Sequence, residues 1–466
     1  MSNFLHPNEI RHKFSLAMSQ MYQKEVPLYK DLMDLVADVN EQTLSSDVNL
    51  KSQLAHTGEL ERIDLERHGA IRLGLPSELA TMRRLFAVMG MLPVGYYDLA
   101  PAGVPVHSTA FRATDSKALQ HSPFRVFCSL LRLELIADKE LRDHAEATLK
   151  KRQIFSEKVL ALIDKCEREG GLDADDAHEF VQEATKTFQW HATSPIAKNF
   201  YDKLHQEHRL IADVVGFYGP HINHLTPRTL DIDAVQAGMS ARNIPPKAII
   251  EGPPRRQCPI LLRQTSFKAL QEPIAFQNAD GTLESGHHTA RFGEIEQRGV
   301  ALTPKGRALY DALLAKARQN LDGTPESNPE HYYQALSESF KDFADDYRTL
   351  HDEGLAYFYY QLADDYQDKL QNIARANKDV PTLIQAGVLR LEPIVYEDFL
   401  PVSAAGIFQS NLGDKSTDDA DDKTAEQALG SQAEFEAALG AKVHDEFALY
   451  QAMMDESLQS CLAALA

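Results

Sequence analysis

Cysteine is scarce in this chain. Its 466 residues include four, Cys128, Cys166, Cys258 and Cys461, spaced 38, 92 and 203 residues apart with no Cys-x-x-Cys pair. That spacing speaks against a disulfide framework and against a thiolate zinc site. Long apolar runs are missing as well. The most apolar stretch, 85–97, is interrupted by Gly90, Pro93 and Gly95 and is too short to cross a bilayer. Residues 1–7 contain no basic segment leading into an apolar run, so no secretory signal is expected. A soluble protein of the reducing cytoplasm is the expectation. Positive charge is in deficit: 48 Lys and Arg stand against 68 Asp and Glu, a net charge of −20. Such a field repels phosphate backbones and anionic lipids, and no basic patch offsets it, so neither nucleic acid nor a membrane is expected as a partner. A small anionic ligand would need its own buried arginine.

The rest of the composition, 43% hydrophobic and 25% charged, suits a globular chain with a sizeable core. Helical periodicity dominates. From Phe155 the positions Val159, Leu162, Ile163 and Cys166 recur at spacings of three and four before Gly170-Gly171, which places Cys166 in the core. Thr303-Pro304 reads as an N-cap followed by Pro in the first turn, opening a helix over 304–320. Further helices are predicted near 8–40, 78–90, 139–169, 173–188, 197–211, 330–345, 355–375 and 431–463. Strands are predicted near 66–74, 104–113, 222–231, 247–263, 273–278, 291–300 and 387–396. The pattern suggests an α+β fold, an antiparallel or mixed sheet wrapped by many helices. Residues 413–427, rich in Asp, read as a solvated acidic loop without the glycine and terminal glutamate of a calcium-binding EF-hand.

Three extended segments carry chemistry. In 66–74 a period of two puts His68, Ala70 and Arg72 on one face and Gly69, Ile71 and Leu73 on the other. In 219–228, Ile222, His224, Thr226 and Arg228 share a face opposite His221, Asn223 and Leu225. Gly219-Pro220 and Pro227 favour an extended segment, and no Glu follows in metalloprotease spacing. In 291–299, Glu294 and Glu296 fall on one face, and periodicity does not choose between them. The plain alternatives are a core-satisfied histidine and a salt-bridged edge strand with Arg291 and Arg298. Two histidines and one carboxylate from separate strands are the inventory of a facial triad holding Fe(II) or Mn(II) with open positions. A 2-oxo acid can chelate such an ion and leave one position for dioxygen. Arg72 or Arg228 could then pair with a second carboxylate. Elsewhere, His287 and His288 are expected at the surface on a turn containing Gly286. Arg263 suits either a pocket-facing strand position or a structural ion pair, and Trp190 is expected to pack in the core.

The blocks 67–72 (Arg-His-Gly-Ala-Ile-Arg), 222–228 (Ile-Asn-His-Leu-Thr-Pro-Arg) and 292–306, together with 244–254 and 396–408, resemble the 2-oxoadipate dioxygenase/decarboxylase family over roughly residues 60–410. The run from Phe292 to Gly306 is the most specific. The resemblance implies a fold of the vicinal oxygen chelate type, a β half-barrel of paired βαβββ modules. It implies a helical segment over 1–60, a metal-binding catalytic domain over 61–410 with helical insertions at about 120–210 and 305–380, an acidic loop over 411–430 and a C-terminal helix over 431–466. It also implies that His68, His224 and Glu294, rather than Glu296, hold Fe(II). Arg72 would pair with a substrate carboxylate, and Val402 and Ser403 would line the same pocket. The implied reaction, a step of lysine catabolism, turns the 2-oxo dicarboxylic acid 2-oxoadipate and O2 into 2-hydroxyglutarate and CO2. Two other readings stay open: a related dioxygenase for another 2-oxo acid, and a metal-dependent 2-oxo acid binding protein without catalysis. The oligomeric state is left open.

Overall fold

The alternation in the first segment becomes β1 (Arg67–Leu73), followed by a helix over Pro76–Val88 and by β2 (Leu92–Asp98), β3 (Val106–Arg112) and β4 (Arg125–Leu131). These coordinates belong to a computed structural model that describes residues 4–319, 321, 323–371, 379–400 and 425–465. The remaining strands are β5 (Thr193–Ser194), β6 (His224–Pro227), β7 (Leu262–Ser266), β8 (Gln271–Gln277), β9 (Leu283–Thr289), β10 (Glu294–Arg298), β11 (Phe358–Leu362) and β12 (Leu389–Pro393). With the many helices around them they make an α+β protein.

One five-stranded sheet runs β2-β3-β4-β1-β6. β1 is parallel to β4, with His68 opposite Arg125, and antiparallel to β6, with Ala70 opposite His224. Backbone contacts then carry on past β6. Phe292 N donates to Asn223 O at 3.2 Å and Thr229 N to Glu296 O at 2.7 Å, setting β10 alongside β6 in parallel. β10 pairs antiparallel with β7, Glu294 opposite Ser266 and Glu296 opposite Gln264. β7 in turn meets 246–251 through antiparallel bridges at Glu251 and Pro246. Two stretches therefore follow the same order of strand, helix and three extended segments. One is β1 to β4; the other is β6, the helix Ile232–Met239, 246–251, β7 and β10.

The sheet sorts side chains by its period of two. Ile71 and Leu73 of β1, Val126 and Cys128 of β4, Leu225 of β6 and Ile295 of β10 join the core beneath the N-terminal helices. Ala70 and Phe127 face the opposite cluster. Those helices, Pro7–Glu25 and Pro27–Ser46, replace the single helix expected over 8–40. Pro27 divides them, since proline disfavours the helical conformation in the residue before it. Tyr22, fully buried, donates to both Asn223 O (3.0 Å) and Phe292 O (2.8 Å) and so ties the β6–β10 junction to the helices.

Several expectations need correction. The helix expected over 139–169 is two, Lys139–Leu149 and Glu157–Glu169, the second closed by Gly170 at φ 85°. The helix expected over 355–375 contains β11, with helix only at Tyr366–Gln371. β4 likewise lies inside the segment expected as a helical insertion, and β2 and β9 were not foreseen. The strand expected from 222 starts at His224, and 247–263 pairs only through bridges before β7. The C-terminal segment is two helices, Ala425–Leu439 and Glu446–Ala464, so helix begins inside the expected acidic loop, of which 411–424 lies outside the described residues. Thr303 caps as expected: its Oγ1 accepts from Gly306 N at 3.1 Å. No helix among the described residues is long and apolar enough to cross a membrane.

Candidate metal centre and substrate cavity

His224 and Glu294 are the first residues of β6 and β10, and His68 is the second of β1. The strands that carry them approach closely because glycines lie beside two of these residues. A Cβ on Gly69 would sit 2.4 Å from Ile222 Cδ1, and one on Gly293 would sit 2.3 Å from Phe267 Cε1. His68, His224 and Glu294 are fully buried, and one donor atom from each lies within 4.8 Å of the others. His68 Nε2 is 3.5 Å from Glu294 Oε1, and His224 Nε2 is 3.8 Å from Glu294 Oε2. Donors about 2.1 Å from a shared ion stand roughly 3–4 Å apart, so the spacing fits. All four ring nitrogens and Glu294 Oε2 lack a hydrogen-bond partner among the described residues. Each such buried group left unsatisfied costs about 1–3 kcal/mol. A divalent cation answers that deficit, and the donor set suits one of intermediate hardness.

The electrostatics suit a metal ligand at His224, whereas Glu294 and His68 are shifted toward their protonated forms and would give up those protons to an ion. Burial, reinforced by the neighbouring His68 and Arg72, holds the His224 pKa well below its ordinary value, so the ring is neutral and can donate its lone pair. Burial also raises Glu294. For His68 burial works against the imidazolium, but the carboxylates of Glu296 and Glu294 outweigh it and the pKa rises.

Glu296, on the same face as Glu294, does a different job. Its Oε2 makes an ionic contact with His68 Nδ1 at 3.1 Å, on the ring edge away from Glu294. Arg298 grips both of its oxygens at 2.8 Å. Burial opposes its charge, yet Arg298, His68 and Arg125 together pull its pKa down to about 2. Its place is that of an outer carboxylate, which would orient the imidazole if His68 held a metal. Behind it lies a buried lattice joining Arg62, Arg125, Arg228 and Arg298 to Glu59, Glu66, Glu296 and Glu397.

Arg72 emerges on the His68 face of β1, buried, with Nη1 2.6 Å from Asp213 Oδ2. It lines a cavity of about 280 Å³ with Arg209, Lys247, Lys268, His288 and Phe292. Phe292 also stacks on His224 at 4.9 Å, so cavity and triad share a wall. Burial lowers Lys247 to about 8, and burial with the adjacent Arg72 lowers Arg209. Arg228 does not line this cavity and is committed to Glu59 (2.6 Å) and Glu66 (3.0 Å). Arg263 pairs with Asp233 at 2.6 and 3.0 Å. A second cleft of about 370 Å³ lies along Arg228, Arg263 and Arg298, whose charges these acids already answer. His287 is exposed as expected, but His288 is buried: residues 283–289 form β9 rather than a turn. Trp190 is half-buried, stacking on His288 and on Arg291. Val402 and Ser403 lie outside the described residues. Sequence reasoning missed Asp213, Arg209, Lys247 and Gln264, whose amide donates to Glu294 Oε1. Of these only Gln264 gave a signal, the alternation of 261–267.

The 2-oxoadipate dioxygenase/decarboxylase family model matches residues 14–411. The 2-oxoadipate dioxygenase/decarboxylase of Pseudomonas putida is 57% identical, covering 100% of this chain and 98% of its own length. The protein of the same name from Escherichia coli is 52% identical, with 99% of each chain covered. A crystal structure of the Pseudomonas putida hydroxyglutarate synthase in complex with 2-oxoadipate superposes with a TM-score of 0.92 at 55% identity, covering both chains completely. Its fold and sequence place this enzyme in the 2-oxoadipate dioxygenase/decarboxylase family.

Proposed function

We propose that this chain is an Fe(II)-dependent dioxygenase that converts 2-oxoadipate and O2 to 2-hydroxyglutarate and CO2, with a place in lysine catabolism. Atoms balance, both oxygen atoms being retained in the products. The observation that carries the reading is a set of three buried metal donors, without hydrogen-bond partners among the described residues at five of their atoms, separated from a cationic cavity by Phe292, which lines the cavity and stacks on His224. The two stretches of strand, helix and three extended segments support a half-barrel of paired βαβββ modules within 61–410. An Fe(II) ion would supply a chelation point for the 2-oxo acid and the redox chemistry that dioxygen requires.

The chain's own residues do the rest. His68, His224 and Glu294 would hold the ion by one face. Glu296 keeps the His68 ring in place through Nδ1. Arg72 pairs with the carboxylate remote from the reacting end, and Arg209 and Lys247 add positive potential for a dianion. Val402 and Ser403, which the family resemblance assigns to the same pocket, would contribute backbone donors to the substrate. Phe292 and Phe399 flank the imidazoles and keep water from the ligands. The test is anaerobic loading with Fe(II) followed by 2-oxoadipate and air. One O2 consumed per 2-hydroxyglutarate formed is expected, and binding without oxygen consumption would defeat the assignment.

A further inference from the structure

A second cluster with the inventory of a metal site lies beside the cavity. Asp213, His221 and His288 are all buried, with one donor atom from each within 4.8 Å of the others. Asp213 Oδ1 lies 2.8 Å from His288 Nε2 and 3.1 Å from His221 Nε2, while its Oδ2 takes Arg72 Nη1 at 2.6 Å. The other ring nitrogen of His288, Nδ1, meets Tyr201 OH at 2.6 Å. Nε2 faces the carboxylate and Nδ1 the phenol, so both ring nitrogens of His288 have hydrogen-bond partners. Trp190 lies against both rings, at 4.7 Å from His221 and 6.0 Å from His288. The contrast with His68 and His224 decides the role: there every ring nitrogen lacks a hydrogen-bond partner among the described residues, here the carboxylate is already occupied by a guanidinium and an imidazole nitrogen. A divalent ion would have to displace Arg72 in a cavity that also holds Arg209 and Lys247.

We propose that Asp213, braced by His221 and His288, is a positioning residue that fixes the guanidinium of Arg72 for the remote carboxylate of the substrate. The inference rests on the function proposed above. An arginine recognises a carboxylate through a planar fork, and fixing one Nη sets the plane of that fork before substrate arrives. Sequence separation hides the device: Arg72, Asp213 and His288 come from β1, the helix Arg209–Val215 and β9.

The test is Asp213→Asn in the iron-loaded enzyme, assayed with 2-oxoadipate and with 2-oxohexanoate, which has the same chain without the second carboxylate. Asn keeps an oxygen for His288 but turns an amide donor toward Arg72. The value of kcat/KM for 2-oxoadipate should fall about tenfold or more, chiefly through KM, as expected for a lost charge-assisted contact. For 2-oxohexanoate kcat/KM, or its inhibition constant against 2-oxoadipate if it is not turned over, should change less than about threefold. Metal content should stay at one per chain, and Asp213→Glu should recover part of the loss. An equal loss on both ligands would make Asp213 merely structural and overturn the inference. So would a second metal equivalent in the wild type that D213N abolishes. If D213N does not fold, Tyr201→Phe carries the test: a smaller shift confined to 2-oxoadipate supports the inference, and no shift overturns it. Absence of wild-type turnover of 2-oxoadipate would instead remove the function on which the inference rests.

Discussion

Replacing Glu296 with Gln separates the outer carboxylate from the metal donors. In the native arrangement Glu296 receives Arg298 at 2.8 Å on each oxygen, lies 3.1 Å from His68 Nδ1 and 3.7 Å from Arg125 Nη1, and is fully buried. The lattice around it counts four cations, Arg62, Arg125, Arg228 and Arg298, against four anions, Glu59, Glu66, Glu296 and Glu397. The amide is nearly isosteric, so packing is kept while one buried cation loses its counter-charge. Breaking a buried pair from one side costs about 3–5 kcal/mol. Unfolding entropy of about 2.1 cal/mol/K per residue makes 1 kcal/mol worth roughly 1 °C in a chain of this length. The metal-free variant should therefore melt about 3–5 °C lower by scanning calorimetry. Because His68 also loses its Nδ1 partner, divalent metal should bind about 10–100-fold more weakly in a competition titration. An unchanged Tm in the metal-free state would refute the charge accounting, and unchanged affinity would refute the orienting role.

Three further outcomes follow from the same geometry. His224→Ala removes one of three donors and should weaken metal retention more than about 100-fold and abolish turnover, so normal metal content with normal activity would contradict the site. Arg72→Lys should leave the metal in place and raise KM for a 2-oxo dicarboxylic acid about tenfold or more, because an ammonium cannot reproduce the planar fork; unchanged kinetics would remove the clamp. Burial, with Arg132, depresses the pKa of His107 to about 4. Its folded pKa is below the unfolded value of about 6.5, so its stabilisation is complete above pH ~6.5 and is lost as pH falls toward 4, with an upper bound on the order of 3 kcal/mol. The Tm gap between wild type and His107→Gln should thus narrow across that window, whereas parallel melting curves at every pH would show that His107 is not depressed.

What could be read from the sequence was set by how much of each signal is local. β1 was legible because its two faces differ in chemistry, polar His68 and Arg72 against apolar Ile71 and Leu73. β4 was not: Arg125–Leu131 is buried at every position, and a strand buried on both faces, apolar at five of its seven residues, carries no clear alternation. β11 was hidden in Phe-Tyr-Tyr-Gln-Leu, where aromatic residues also recur at helical spacing before Ala363 and Tyr366. Glu294 and Glu296 shared a face, as a period of two requires, and the alternation could not rank them. Their difference comes from Arg125 and Arg298, which seize the second acid from β4 and from β10 itself.

Net charge was a guide to the exterior and not to the site. On exposed helices, pairs such as Lys30–Asp34 and Lys139–Asp143 are largely solvated and add little. Inside, charge is matched: four arginines against four glutamates around His68. The imbalance that matters is at the cavity, where Arg72, Arg209, Lys247 and Lys268 face one acid, Asp213, among the described residues that line it. Arg72 is a buried arginine on that cavity, of the kind an anion-binding protein of this overall charge would need. A dianion entering such a cavity leaves an acidic surface for a low-dielectric, cationic wall, and the position of a few side chains, rather than the sum over the chain, decides which ligand is held.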